Sequence, residues 1–77
     1  MKKIKMIWDF RGPNATMIAK HHITHIHEYF KMENLHQEET GYEVLSDMHT
    51  LAFVVVNEKD MRKVRDDLKP HRGTLHS

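Results

Sequence analysis

The sequence predicts an α+β domain with its elements in the order strand, helix, strand, strand, helix. Three features predict it. Residues 2–10 alternate between apolar and polar side chains, residues 15–33 contain no helix breaker, and Leu51 to Val56 is an unbroken apolar run. The expected arrangement is β-α-β-β-α, a three-stranded antiparallel or mixed sheet with both helices on one face. Residues 1–70 form the single domain, and 71–77 are expected as a C-terminal tail.

From Lys2 to Phe10, Ile4, Met6, Trp8 and Phe10 fall on one side, while Lys3, Lys5, Ile7 and Asp9 fall on the other. Period-two alternation of this kind is a half-buried strand with its large apolar set toward the core. Arg11-Gly12-Pro13-Asn14 ends it, because proline cannot serve a central strand, and Gly12 or Asn14 can cap a helix start. From Ala15 to about Glu33, the residues Ala15, Ile18, Ala19, Ile23, Ile26, Tyr29 and Phe30 gather on one helical side. Asn34 to Gly41 is polar and reads as a loop.

Tyr42 to Ser46 is expected as a short strand that turns at Asp47-Met48 into a second one, His49 to Val56. That second strand is apolar on both faces, the mark of a central, doubly covered position. Asn57 caps a second helix with Glu58 and Asp60 in its first turn, where the helix dipole favours acids. Met61, Val64 and Leu68 are its apolar stripe, and Lys69-Pro70 closes it.

This element order resembles a ferredoxin-like fold lacking its last strand. The crossover and the hairpin return place the third strand in the middle, antiparallel to both neighbours, and leave the first strand as an open edge. The face away from the helices is expected to present Ile7, Ala52, Val54, Val56 and Leu45. A contiguous apolar patch of that kind is uncommon on a stable monomer, and a chain this short has a thin core. A homodimer through that outer sheet face or the edge strand is therefore expected, with the folded-back tail as the alternative cover.

Composition narrows the classes of function. The 77 residues hold 12 basic and 11 acidic side chains for a net charge of +1, which gives no electrostatic case for nucleic acid. No apolar run approaches the roughly 20 residues needed to span a bilayer, so no membrane association is expected and the cytoplasm is the expected location. Cysteine is absent, which removes disulfides and thiolate zinc sites. There is no glycine-rich phosphate loop and no dinucleotide fingerprint. The six methionines are scattered, with Met6 and Met61 reading as core.

Histidine is the unusual component, with 8 in the chain and four of them in His21-His22-Ile23-Thr24-His25-Ile26-His27. His21 and His25 are one helical turn apart, and Glu28 continues their row. Two neutral imidazoles so placed, with a carboxylate, can chelate zinc, nickel or copper. His22 lies within the apolar stripe and is expected to be structural, with its second nitrogen satisfied by a nearby carbonyl. A second candidate follows from topology, which brings Asp9, Arg11, His49, His71 and Arg72 to one rim near the start of the first helix. Free helix-start amides and an arginine fork suit an anion, and a histidine there could move a proton near neutral pH. The bland alternative is a solvated set of loop ends with Asp9 and Arg11 paired to each other. A small metal-binding homodimer is thus the leading expectation. An anion-binding domain or small enzyme at the rim, and an interaction module with no ligand, are the other two.

Overall fold

The computed structural model describes residues 2–76, and the chain runs β1 (Lys3–Arg11), α1 (Ala15–Met32), β2 (Glu39–Ser46), β3 (His49–Asn57), α2 (Glu58–Leu68) and β4 (Arg72–His76). The four strands form one antiparallel sheet in the order β2-β3-β1-β4. The class is α+β as expected, but the sheet has four strands rather than three. The segment expected as a tail supplies β4, which pairs with β1 from Ile7↔Arg72 to Lys3↔His76. Ser77, the last residue of that expected tail, lies outside the described residues. β1 is therefore a central strand and not an open edge. Arg72-Gly73-Thr74-Leu75-His76 carries little apolar character of its own, and it is strand because β1 offers it a free ladder.

β2 also begins earlier than expected. Glu39, Thr40 and Gly41 belong to it and pair with Val55, Val54 and Phe53. Gly41 has a reason to be glycine, since a Cβ there would come within 3.2 Å of the Phe53 ring. Asp47 and Met48 make the expected turn into β3.

Register decides which face each residue takes. Ile4, Met6, Trp8 and Phe10 stand opposite Val56, Val54, Ala52 and Thr50. Residues paired across a ladder share a face, so these eight side chains all point toward the helices. There Met6, Trp8, Val54 and Val56 pack with Ile26 and Phe30 of α1 and Val64 of α2. The expectation that Ala52, Val54 and Val56 lie on the outer face with Ile7 is corrected: all three are fully buried under the helices. The outer set of β3 is Leu51, Phe53 and Val55, which face out beside Ile7. Leu45 sits at the irregularity between Val44 and Ser46 and is exposed.

The outer face is not a bare apolar surface either. Ile7, Leu51 and Val55 are buried within a single chain. Lys5 extends over the Phe53 ring, its Nζ 4.3 Å from the centroid, and Lys3 pairs with Glu38 alongside. Long charged side chains lay their apolar stems on the sheet and keep their heads in water. Neither premise of the expected dimer, an uncovered apolar face or an open β1, is present.

The helices are tied down by polar contacts at their ends. Trp8 Nε1 donates to the Leu68 carbonyl at 3.0 Å, satisfying both a buried indole and a carbonyl of the last turn of α2. The Tyr29 hydroxyl donates to Asp67 Oδ2 at 2.6 Å and joins α1 to α2; burial and that carboxylate push the phenol up to about 12. Thr16 and Thr50 share a hydrogen bond of 2.7 Å between α1 and β3, which satisfies the fully buried Thr50. Gly12, at φ 115°, makes the turn from β1 into α1, and its N–H donates to the Met48 carbonyl at 2.8 Å.

Ile26 is fully buried, whereas Met32 is 76% exposed. Ile26→Ala is expected to destabilise the domain by about 2–5 kcal/mol through the cavity it leaves. Met32→Ala is expected to change stability by no more than about 0.5 kcal/mol. Urea unfolding followed by circular dichroism compares the two.

Candidate functional site

β1, β3 and β4 bring three of the five expected rim residues together on the outer face. Asp9 projects from β1, His49 opens β3 and Arg72 opens β4. Asp9 Oδ1 lies 2.8 Å from His49 Nε2, and Arg72 reaches the same carboxylate with Nε at 3.0 Å and Nη2 at 3.1 Å. This is a bidentate arginine fork with an imidazole added on one oxygen. The side chains of Asp9 and His49 are each 17% exposed, while that of Arg72 is 49% exposed. The expected pairing of Asp9 with Arg11 is replaced by this arrangement. Arg11 stands directly across from His49 in the ladder and is exposed.

The Arg72 fork beside Asp9, helped by His49, holds the carboxyl at about 2, below its ordinary 3.8, against the opposing effect of burial. An ionised carboxylate only accepts hydrogen bonds, so His49 Nε2 must carry the proton between them. In the neutral ring, Nδ1 is then the acceptor.

His71 takes the opposite tautomer. Its Nδ1 accepts the backbone N–H of Asp9 at 2.8 Å, which places the ring proton of its neutral form on Nε2. Its ring lies toward Phe10, with centroids 6.5 Å apart, so His71 sits on the helix side of the same sheet end. The five expected residues thus divide into an outer set of Asp9, Arg11, His49 and Arg72, and His71 behind the strand.

His22 lies in the apolar stripe as expected, but its ring nitrogen does not find the expected partner. It packs edge-on against Trp8 at 4.7 Å and Phe10 at 5.5 Å, and its buried Nε2 has no hydrogen-bond partner among the described residues. The expected carbonyl partner is absent. Burial, with His25 and His71 nearby, lowers its pKa below the ordinary imidazole value and favours the neutral ring. Its place in the apolar stripe was legible; the unpaired nitrogen was not, because that depends on which backbone groups the strands and helices consume.

The helix row His21, His25 and Glu28 forms as the spacing requires. The His21 and His25 rings are 5.1 Å apart, and His25 Nδ1 is 3.5 Å from Glu28 Oε1. All three residues are exposed. Among the described residues, no three histidine or carboxylate side chains converge to hold a metal ion. Among the same residues, no helix is long and apolar enough to cross a membrane.

The chain matches no protein family, no curated protein and no solved structure in comparison.

Because the Asp9 carboxyl is depressed in the folded chain, its stabilising effect is complete above the ordinary carboxyl value of 3.8 and is lost as pH falls toward about 2. Screening at the exposed Arg72 limits that effect to about 1–2 kcal/mol. Asp9→Asn is expected to be less stable than the parent at pH 7, with the gap closing through that acid window. Urea unfolding of both proteins across the range measures it.

Proposed function

We propose that this chain is a small anion-binding domain whose ligand, a carboxylate or phosphate group, sits at the outer rim beside Arg11, His49 and Arg72. One observation supports this reading above the others: Asp9 braces His49 and Arg72 from within the sheet end. Its charge is spent inward on two cationic or hydrogen-bonding groups that are held at fixed positions, and Arg11 adds a further positive charge across from His49. Preorganised donors of this kind lose little freedom when a ligand arrives. With Asp9 on Nε2 and Nδ1 as acceptor, His49 could also take up a proton from a bound acid, which is the form an enzymatic role would take here. The β-α-β-β-α-β order and the β2-β3-β1-β4 sheet are compatible with a complete ferredoxin-like arrangement, a scaffold that by itself implies no particular ligand.

The test is titration of inorganic phosphate and of citrate into isotope-labelled protein. Amide shifts confined to the ends of β1, β3 and β4 are expected, with Arg11→Ala weakening binding by about tenfold or more. Shifts absent from these strand ends, or an unchanged affinity in Arg11→Ala, would overturn the proposal.

A second reading keeps the metal. The adjacent His21 and His25 rings favour it, with zinc, nickel or copper bridging two imidazoles and Glu28 or a donor from another molecule completing the set. Calorimetry with zinc on chelator-treated protein is then expected to show binding that His21→Ala removes. No heat above dilution would end this reading.

A further inference from the structure

β2 and β4 are the two edges of the sheet, and they differ in chemistry. On its outer face β2 carries Glu39 and Glu43 on either side of Gly41, while β4 carries Arg72, Thr74 and His76. β2 runs in the direction of β1 and β4 runs against it, so an added β2 would lie antiparallel to β4. We propose that β4 of one copy of this chain pairs with β2 of a second copy, with Arg72 opposite Glu43, Thr74 opposite Gly41 and His76 opposite Glu39.

That register does three things at once. It sets one basic and one titratable side chain against two carboxylates on the outer face, and opposite charges directly across a ladder are favourable. It preserves the alternation of faces, so that Gly73 falls opposite Tyr42 and Leu75 opposite Thr40 on the helix side. Leu75 and Tyr42 are then diagonal neighbours, and both are large apolar side chains left in water by the single chain, 72% and 42% exposed. The glycine of β4 gives the Tyr42 ring space to lie across the seam. Finally, it occupies edges that otherwise expose unpaired backbone groups. Arg72 can take part without leaving Asp9, because its Nη1 is not used in that fork. Pairing of β2 with another β2 has no such support, since both strands would bring glutamates on the same face. The contact joins two different edges, so it propagates into a closed ring or a chain of copies. The inference stands apart from the anion site, and its test leaves Asp9, Arg11, His49 and Arg72 unchanged.

Light scattering on the untagged wild-type chain, from micromolar to millimolar concentration, is expected to show mass growing beyond one protomer. The double variant Glu39→Lys/Glu43→Lys makes β2 basic, and Thr74→Glu/His76→Glu makes β4 acidic. Each alone places like charges across the seam and is expected to raise the dissociation constant by roughly a hundredfold or more. An equimolar mixture of the two is expected to associate again, because β4 of the first variant and β2 of the second are both unaltered and reform the parent seam. All four positions lie at the exposed sheet edges, so circular dichroism of each variant is expected to match the parent. A wild-type chain that stays monomeric, variants that associate as the parent does, or a mixture that fails to recover association would each overturn the pairing.

Discussion

In the ladder between β1 and β3, Ile4, Met6, Trp8 and Phe10 face Val56, Val54, Ala52 and Thr50, and the whole molecule is organised by that parity. A shift of one residue would turn every one of these side chains to the other face. With the parity as it is, the helices cover one continuous apolar layer, and Ile7, Leu51 and Val55 are left on the far side in a strip narrow enough for lysine and arginine stems to cover. The same parity puts Asp9, His49 and Arg72 on one surface. Core and candidate site are therefore set by one register.

β1 carries an unusual share of the connections. It is hydrogen-bonded to β3 on one side and β4 on the other, its Trp8 holds the end of α2, and the backbone of Asp9 holds His71. A small domain has few buried residues over which to distribute stability. Here the polar contacts at the sheet end supplement the apolar layer, and they do so with groups that remain partly open to water. The fork from Arg72 to Asp9 fixes the entry into β4 as well as assembling the rim, so structural and binding roles fall on the same side chains. Among the described residues, His22, wedged against Trp8 and Phe10, is the one whose side chain leaves a buried polar atom without a partner.

The strands β1 and β3 and both helices were legible in the sequence because each carries a long, strong period: alternation in Lys3–Phe10, a helical stripe from Ala15 to Phe30, an apolar run in Leu51–Val56. The rim was legible for a related reason. Once the element order is known, the ends of β1 and β3 and the close of α2 must lie near one another, and the residues there are Asp9, His49, His71 and Arg72. Which of them touch was not. Arg11 is two residues from Asp9 in sequence and on the same face, yet Arg72, 63 residues away, takes the carboxylate. His21, His25 and Glu28 were placed correctly on one row because helical spacing is local.

What the sequence determined by itself is what contacts a few residues apart govern: the type of β1, α1, β3 and α2, the turn at Asp47-Met48, the helix starts and the apolar stripes, apart from Ile18, which is exposed. Tertiary structure alone decided β4, the early start of β2 and the facing of β3. The physical reason is common to all three. β4 has no apolar pattern of its own and becomes strand by satisfying the backbone of β1. Glu39 to Gly41 does the same along β3. The run Leu51 to Val56 is apolar on both faces, so only its pairing with β1 could choose which face meets the helices and which is left to Lys5 and the Arg72–Asp9 pair.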